Sequence, residues 1–142
     1  MNLRPIQPGD LDAVLENPRQ KGLKRLTVPA DAWACEDNGR LVGIGGIAVY
    51  WAGVGEAWII VMDDNDPEQG AQVYWTLAGQ LGRIVADKKL WRVEAQVRVD
   101  FPEALRLVRL LGFTQECVRK HFAADGTDMI LFAKVYEEYL PG

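Results

Sequence analysis

The stretch VGEAWIIVMDDNDPEQG, Val54 to Gly70, decides how the chain is read. Its first half, VGEAWIIVM, is apolar except for one carboxylate, Glu56. It is rich in the β-formers Trp58, Ile59, Ile60 and Val61. So unbroken an apolar run predicts a strand covered on both faces, inside a sheet. The run DDNDP breaks it. Asp66 is a good helix N-cap and Pro67 suits the first helical position. Gln69 stands three residues after Asp66, the spacing of a capping box. Tyr74, Leu77, Ala78, Leu81, Ile84 and Val85 then recur at helical spacing, as one apolar stripe on a helix reaching Lys89. A strand that feeds a helix through a tight turn builds an anion site where the first helical amides point outward unpaired.

Upstream, Asn2 to Gln7 reads as a short strand and Asp10 to Leu15 as a helix start with acidic residues in its first turn. Gly22 to Leu26 can carry a second short helix, with Lys21, Lys24 and Arg25 as a solvated face. Asp31 to Glu36 and Arg40 to Trp51 read as strands joined at Asn38-Gly39, a strong hairpin signal. Gly43, Gly45 and Gly46 inside the second strand predict a bulge or close approach by another backbone. Downstream, WRVEAQVRV (Trp91 to Val99) alternates as a strand. Asp100-Phe101-Pro102-Glu103 has the spacing of a second capping box. Ala104, Leu105, Leu107, Val108 and Leu111 supply a helix face, and Gly112 ends that helix with Phe113 as the contact behind it. Phe113 to Ala123 and Met129 to Val135 read as two strands around Asp125-Gly126, and Tyr136 to Gly142 as a loosely held tail. The order predicts a mixed α/β domain, one unit over residues 1–142. Its start is antiparallel, and helix-linked strands follow in the second half.

Length and composition agree. The chain has 142 residues, 49% hydrophobic and 25% charged, enough for a real core. A net charge of -4 argues against a phosphate-backbone footprint, so no nucleic-acid partner is expected. No apolar run approaches the roughly 20 residues of a membrane helix, and the first residues lack an apolar signal core. A cytoplasmic protein is the expectation, with Cys35 and Cys117 filling strand positions rather than forming a disulfide.

The order and the residues together resemble the GNAT superfamily of N-acetyltransferases. LRPIQPGDLDAV looks like its opening strand and helix. WRVEAQVRVDFPEALRLVRLLGF looks like the family's fifth strand and the helix after it, ending in the common Leu-Gly-Phe. The resemblance covers nearly the whole chain. It implies a central mixed sheet flanked by helices and transfer of an acetyl group from acetyl-CoA to a small-molecule or peptide amine. It also implies a cofactor lying where the fourth and fifth strands splay apart, its pyrophosphate on the helix after the fourth strand.

Mapped onto this sequence, the family's pyrophosphate loop, Gln/Arg-x-x-Gly-x-Gly/Ala, falls on DDNDPEQGAQ. Gly70 matches the first glycine, with Ala71 beside it, but Pro67 stands where Gln or Arg is expected and Gln72 where the small residue is. Asp63, Asp64, Asp66 and Glu68 crowd the same terminus, where carboxylates satisfy the helix dipole and repel a pyrophosphate. The resemblance also implies that the backbone of Ile60, Val61 and Met62 holds the acetyl carbonyl and pantetheine arm. It places Glu56 where some members carry a general base. The bland alternative for Glu56 is a solvated carboxylate or a partner of Arg92. The family's leaving-group tyrosine falls on Val108, which cannot donate a proton. Its asparagine falls on Phe101. Tyr74 or Tyr50 could substitute if the fold brings it near.

His121 stands without a metal-spaced set of partners and reads as structural, so no metal is expected. Trp33, Trp51, Trp58, Trp75 and Trp91 suit core positions or an oligomer contact, a homodimer included. Two functions follow from the sequence: an acyl-CoA-dependent N-acyltransferase, and a GNAT-like domain without catalysis that serves as a binding or structural module. Short proteins of the second kind resemble accessory proteins of tailed phages.

Overall fold

The computed structural model describes residues 1–15, 31–62 and 66–142. The helix expected at Gly22 to Leu26, its basic residues, and Asp63 and Asp64 lie outside them.

The elements run β1 (Asn2–Pro5), α1 (Pro8–Leu15), β2 (Asp31–Asp37), β3 (Arg40–Trp51), β4 (Val54–Val61), α2 (Pro67–Lys88), β5 (Arg92–Arg98), α3 (Pro102–Leu110), β6 (Thr114–Arg119) and β7 (Met129–Val135). Among the described residues seven strands form one mixed sheet in the order β1-β2-β3-β4-β5-β7-β6. Asn38 and Gly39 both take positive φ, 52° and 78°, as a tight primed hairpin turn requires. The glycines of β3 serve close approach. A Cβ on Gly43 would lie 2.5 Å from Val73 Cγ1 of α2, and one on Gly46 would lie 2.9 Å from the Asp31 carbonyl. A register shift also falls beside Gly43, where Glu36 pairs with Leu41 and Cys35 with Gly43.

β4 and β5 are parallel neighbours at their start, as a helical crossover dictates. α2 and α3 cover the sheet face that carries Ile47, Ile59 and Val61 on one side and Val93 and Val97 on the other. The apolar stripe of α2 is buried as Val73, Tyr74, Leu77, Leu81, Ile84 and Val85. Val73 joins the expected set; Ala78 is only half-buried. On the opposite face Leu11 of α1 packs with Ile44, Trp58 and Ile60. α3 ends in a Schellman motif: Gly112 (φ 89°) donates to the Arg109 carbonyl and Phe113 to that of Val108.

Three local expectations are corrected. Neither capping box closes. Asp66 accepts from the Gln69 amide at 2.8 Å, but the Gln69 side chain reaches across to Asp37 and Arg40 of the β2–β3 hairpin. Asp100 is held bidentately by Arg98, so α3 starts at Phe101-Pro102 with no side-chain cap. Gln69 gains two charged partners in place of one backbone amide, and Asp100 gains a two-bond guanidinium fork in place of a single amide. The start of the tail is also tied down. Tyr136 donates its amide to the Trp91 carbonyl and packs beside Leu90 and Val93, and Glu137–Tyr139 form a 3-10 turn.

Candidate functional site

β4 and β5 pair only over Val54–Glu56 and Arg92–Glu94. Beyond that point each strand stays with its antiparallel partner: β4 follows β3 to Val61, and β5 follows β7 over its whole length. Twist and two full antiparallel ladders pull the two strands apart, and a wedge opens between them. The wedge is a cavity of about 720 Å³, within the range of small-molecule sites. Its walls include Glu56, Ile59 and Val61 of β4, Tyr74 of α2, Gln96 of β5 and Val108 of α3.

The register decides which β4 amides face this space. Met62 donates its amide to the Val42 carbonyl at 3.0 Å. By the two-residue alternation of an antiparallel ladder, the Ile60 amide also points to β3, and those of Ile59 and Val61 point into the wedge. Among the described residues no strand pairs with β4 on that side beyond Glu56. Of Ile60, Val61 and Met62, then, Val61 turns its backbone to the cavity. Ile60 lines the cavity, and Met62 packs with Ile44 on the α1 face. Ile59 was missed in the sequence, because a run of equally apolar residues does not say which amides face which neighbour.

Glu56 sits at the vertex. Its carboxylate accepts from the Tyr50 hydroxyl at 2.5 Å and from Gln96 Nε2 at 3.1 Å. Burial first, and the Glu56 carboxylate second, raise the Tyr50 phenol well above its usual range, so it stays a donor. Arg92, the alternative partner for Glu56, is engaged elsewhere: it grips Glu94 and Glu116. Gln96 Oε1 is buried and has no hydrogen-bond partner among the described residues, an arrangement that costs about 1–3 kcal/mol.

At the far end of the wedge, α2 caps itself. Asp66 takes the Gln69 amide with its side chain and the Gly70 amide with its carbonyl, at 2.8 and 2.9 Å. Gly70 and Ala71 stand in this first turn, and a Cβ on Gly70 would meet only Val61 Cγ1, at 3.8 Å. Glu68 is exposed, and Arg40 reaches the same turn through Gln69.

Tyr74 reaches the cavity wall and packs with Val61 and Leu107. His121 is exposed at the β6–β7 connection, its Nδ1 2.9 Å from the Gly126 carbonyl. Cys35 is buried and Cys117 exposed, both as free thiols on strands. Trp51 and Trp75 are exposed, whereas Trp33 and Trp58 pack against the core. Among the described residues no group of His, Cys, Asp and Glu has the arrangement of a metal site, and no helix is long and apolar enough to cross a membrane.

No protein-family model and no curated protein matches the sequence. Solved structures do match the fold. Ard1 from Thermoplasma volcanium superposes with a TM-score of 0.77 at 16% identity, over 94% of this chain and 96% of that one. A variant of spermidine N-acetyltransferase from Vibrio cholerae gives 0.72 at 18%, over 99% and 98%. A GNAT family acetyltransferase from Elizabethkingia anophelis, solved with acetyl-CoA bound, gives 0.70 at 18%, over 95% and 97%. At such identities the likeness establishes the fold: this chain has the GNAT acyl-CoA N-acyltransferase fold, the one its sequence resembles.

Proposed function

We propose that the chain is an N-acetyltransferase that moves the acetyl group of acetyl-CoA onto an amine. The observation that carries this reading is the wedge between β4 and β5 with a carboxylate at its vertex, held by two neutral donors. The residues fit the thioester arm of acetyl-CoA: an apolar cavity of about 720 Å³ for the pantetheine, with the Ile59 and Val61 amides turned into it. Gly70, with Ala71 after it, brings the backbone of the first turn of α2 to the phosphates, and the space beside Gly70 is open but for Val61. Acetyl-CoA supplies the activated acyl carbon.

Glu56 takes a proton from the substrate ammonium, directly or through one water, and frees the nitrogen lone pair. The outward β4 amides donate to the carbonyl oxygen as charge develops there. The new C–N bond forms, the nitrogen gives up its second proton to solvent, the C–S bond breaks, and the sulfur leaves with its electron pair to be protonated to the thiol. An ordinary thiol ionises near 8.5, so it leaves well without help. An acid is therefore worth little, and Val108 at that position is tolerable.

The test is thermal unfolding with acetyl-CoA. Ligand at 100 times its dissociation constant stabilises by about 2.7 kcal/mol, a rise of about 5–10 °C for a chain of this size. The self-capped start of α2 and the valine at position 108 favour a second reading, a GNAT-like module without catalysis. An unshifted transition at millimolar acetyl-CoA would select it.

A further inference from the structure

We infer that Gln96 is a positioning residue that, with Tyr50, aims the Glu56 carboxylate into the wedge while leaving its negative charge uncompensated. The inference rests on the acetyl-transfer reading above.

Glu56 and Glu94 occupy paired positions on adjacent strands. Two carboxylates set side by side repel, and they are handled differently. Glu94 takes a cation, Arg92, which also binds Glu116. Among the described residues Glu56 takes only a phenol and a carboxamide, both neutral. Neutral donors fix the rotamer of a carboxylate, and unlike a cation they do not cancel the charge that receives an ammonium and its proton. The clamp spans three strands. Tyr50 comes from β3, Glu56 from β4 and Gln96 from β5, so it closes across the point where β4 and β5 part.

The amide orientation follows from chemistry: Nε2 must face the carboxylate, which strands Oε1 in a buried place without a donor. An apolar residue of the same length would fill that space without an orphaned oxygen. A glutamine there serves the carboxylate at the expense of its own second group, a pattern expected at functional positions. Among the described residues the charged groups that bear on the clamp include Glu94 and Arg92 of β5 and Glu116 and Arg119 of β6. Arg119 and Glu94 both act on the Tyr50 hydroxyl.

The experiment compares Gln96→Met and Gln96→Lys in the full chain, reading kcat and KM for a primary amine across pH, with acetyl-CoA affinity alongside. Methionine keeps the length and removes the donor. It should lower kcat about 3- to 10-fold, the worth of one hydrogen bond. It should leave acetyl-CoA affinity unchanged and move the acidic limb of the profile to higher pH. Lysine replaces the neutral donor with a cation and should move that limb to lower pH. Opposite movements from one position are not what general damage to packing produces. Wild-type kcat and an unmoved limb in Gln96→Met overturn the inference. Movement in the same direction in both variants overturns it too. If the wild-type protein acetylates no amine, the proposed reaction falls, and the clamp is judged alone by 13C titration of the Glu56 carboxylate. That titration must move to higher pH in Gln96→Met, or in Tyr50→Phe should the methionine variant not fold. No movement overturns it.

Discussion

Replacing Glu56 with glutamine separates chemistry from folding more cleanly than any other change at the wedge. The substitution is nearly isosteric, and both of its neighbours can adapt. Gln96 Nε2 can keep donating to the new carbonyl oxygen, and the Tyr50 hydroxyl can turn to accept from the new amide nitrogen. Two charged hydrogen bonds become neutral ones. The cost in stability should be about 1 kcal/mol or less, a fall in Tm of about 4 °C at most. The kinetic loss is of another size. A positioned general base is worth roughly 10²–10⁴ in rate, or about 3–5 kcal/mol of barrier. Acetyl-CoA affinity should not change, because the carboxylate sits at the vertex, away from the Gly70 end. The assay is thiol release with a primary amine acceptor, measured as kcat/KM over a range of pH, with calorimetric binding of acetyl-CoA beside it. The deficit should shrink as pH rises, since more of the amine then arrives already deprotonated. An active enzyme indifferent to Glu56→Gln, or a deficit constant with pH, would refute the assignment of Glu56 as base.

Gly70→Leu should fold, given the open space beside it, yet weaken acetyl-CoA binding at least tenfold by holding the phosphates off the backbone; unchanged affinity would show that the cofactor avoids this turn. Asp66→Asn keeps an N-cap acceptor and removes one charge, so it should tighten acetyl-CoA binding several-fold, about 1 kcal/mol, as read by calorimetry. Leu77→Ala, at a position with no exposed surface, should cost about 2–5 kcal/mol in denaturant unfolding. Stability should fall as pH drops below about 4. Asp10 beside Arg4, Asp100 and Asp125 beside Arg98, and Glu116 beside Arg92 are all held below the usual carboxylate range. Each contributes stability above its unfolded value and loses it as acid protonates the folded form. Asp10→Asn should flatten that slope in Tm against pH.

Some of this protein is written in short windows of sequence. Asn38-Gly39 makes the hairpin because both residues tolerate positive φ, and Gly112 with Phe113 ends α3 by the same local chemistry. The apolar run of β4, the helical stripe of α2 and the alternation of β5 require a parallel pair with a crossover between them. That is why the sheet and the resemblance to an acetyltransferase fold were legible. Other features were not, and they share one cause. Gln69 turned to Asp37 and Arg40 instead of closing a capping box, Asp100 went to Arg98, and Tyr136 was drawn onto the core. Local spacing names a default partner, and a charged or buried partner displaces it, from a distant element at Gln69 and Tyr136 and from two residues away at Asp100. The choice between Ile59 and Ile60 as the residue facing the wedge depended on pairing with β3, since a strand alternates but its sequence does not say which neighbour each amide meets. The Tyr50–Glu56–Gln96 clamp bonds residues 6 and 40 apart in sequence on three strands. Its geometry exists only once the register of all three is set, because hydrogen bonds are decided over a few ångströms and the chain brings such distances about only by folding.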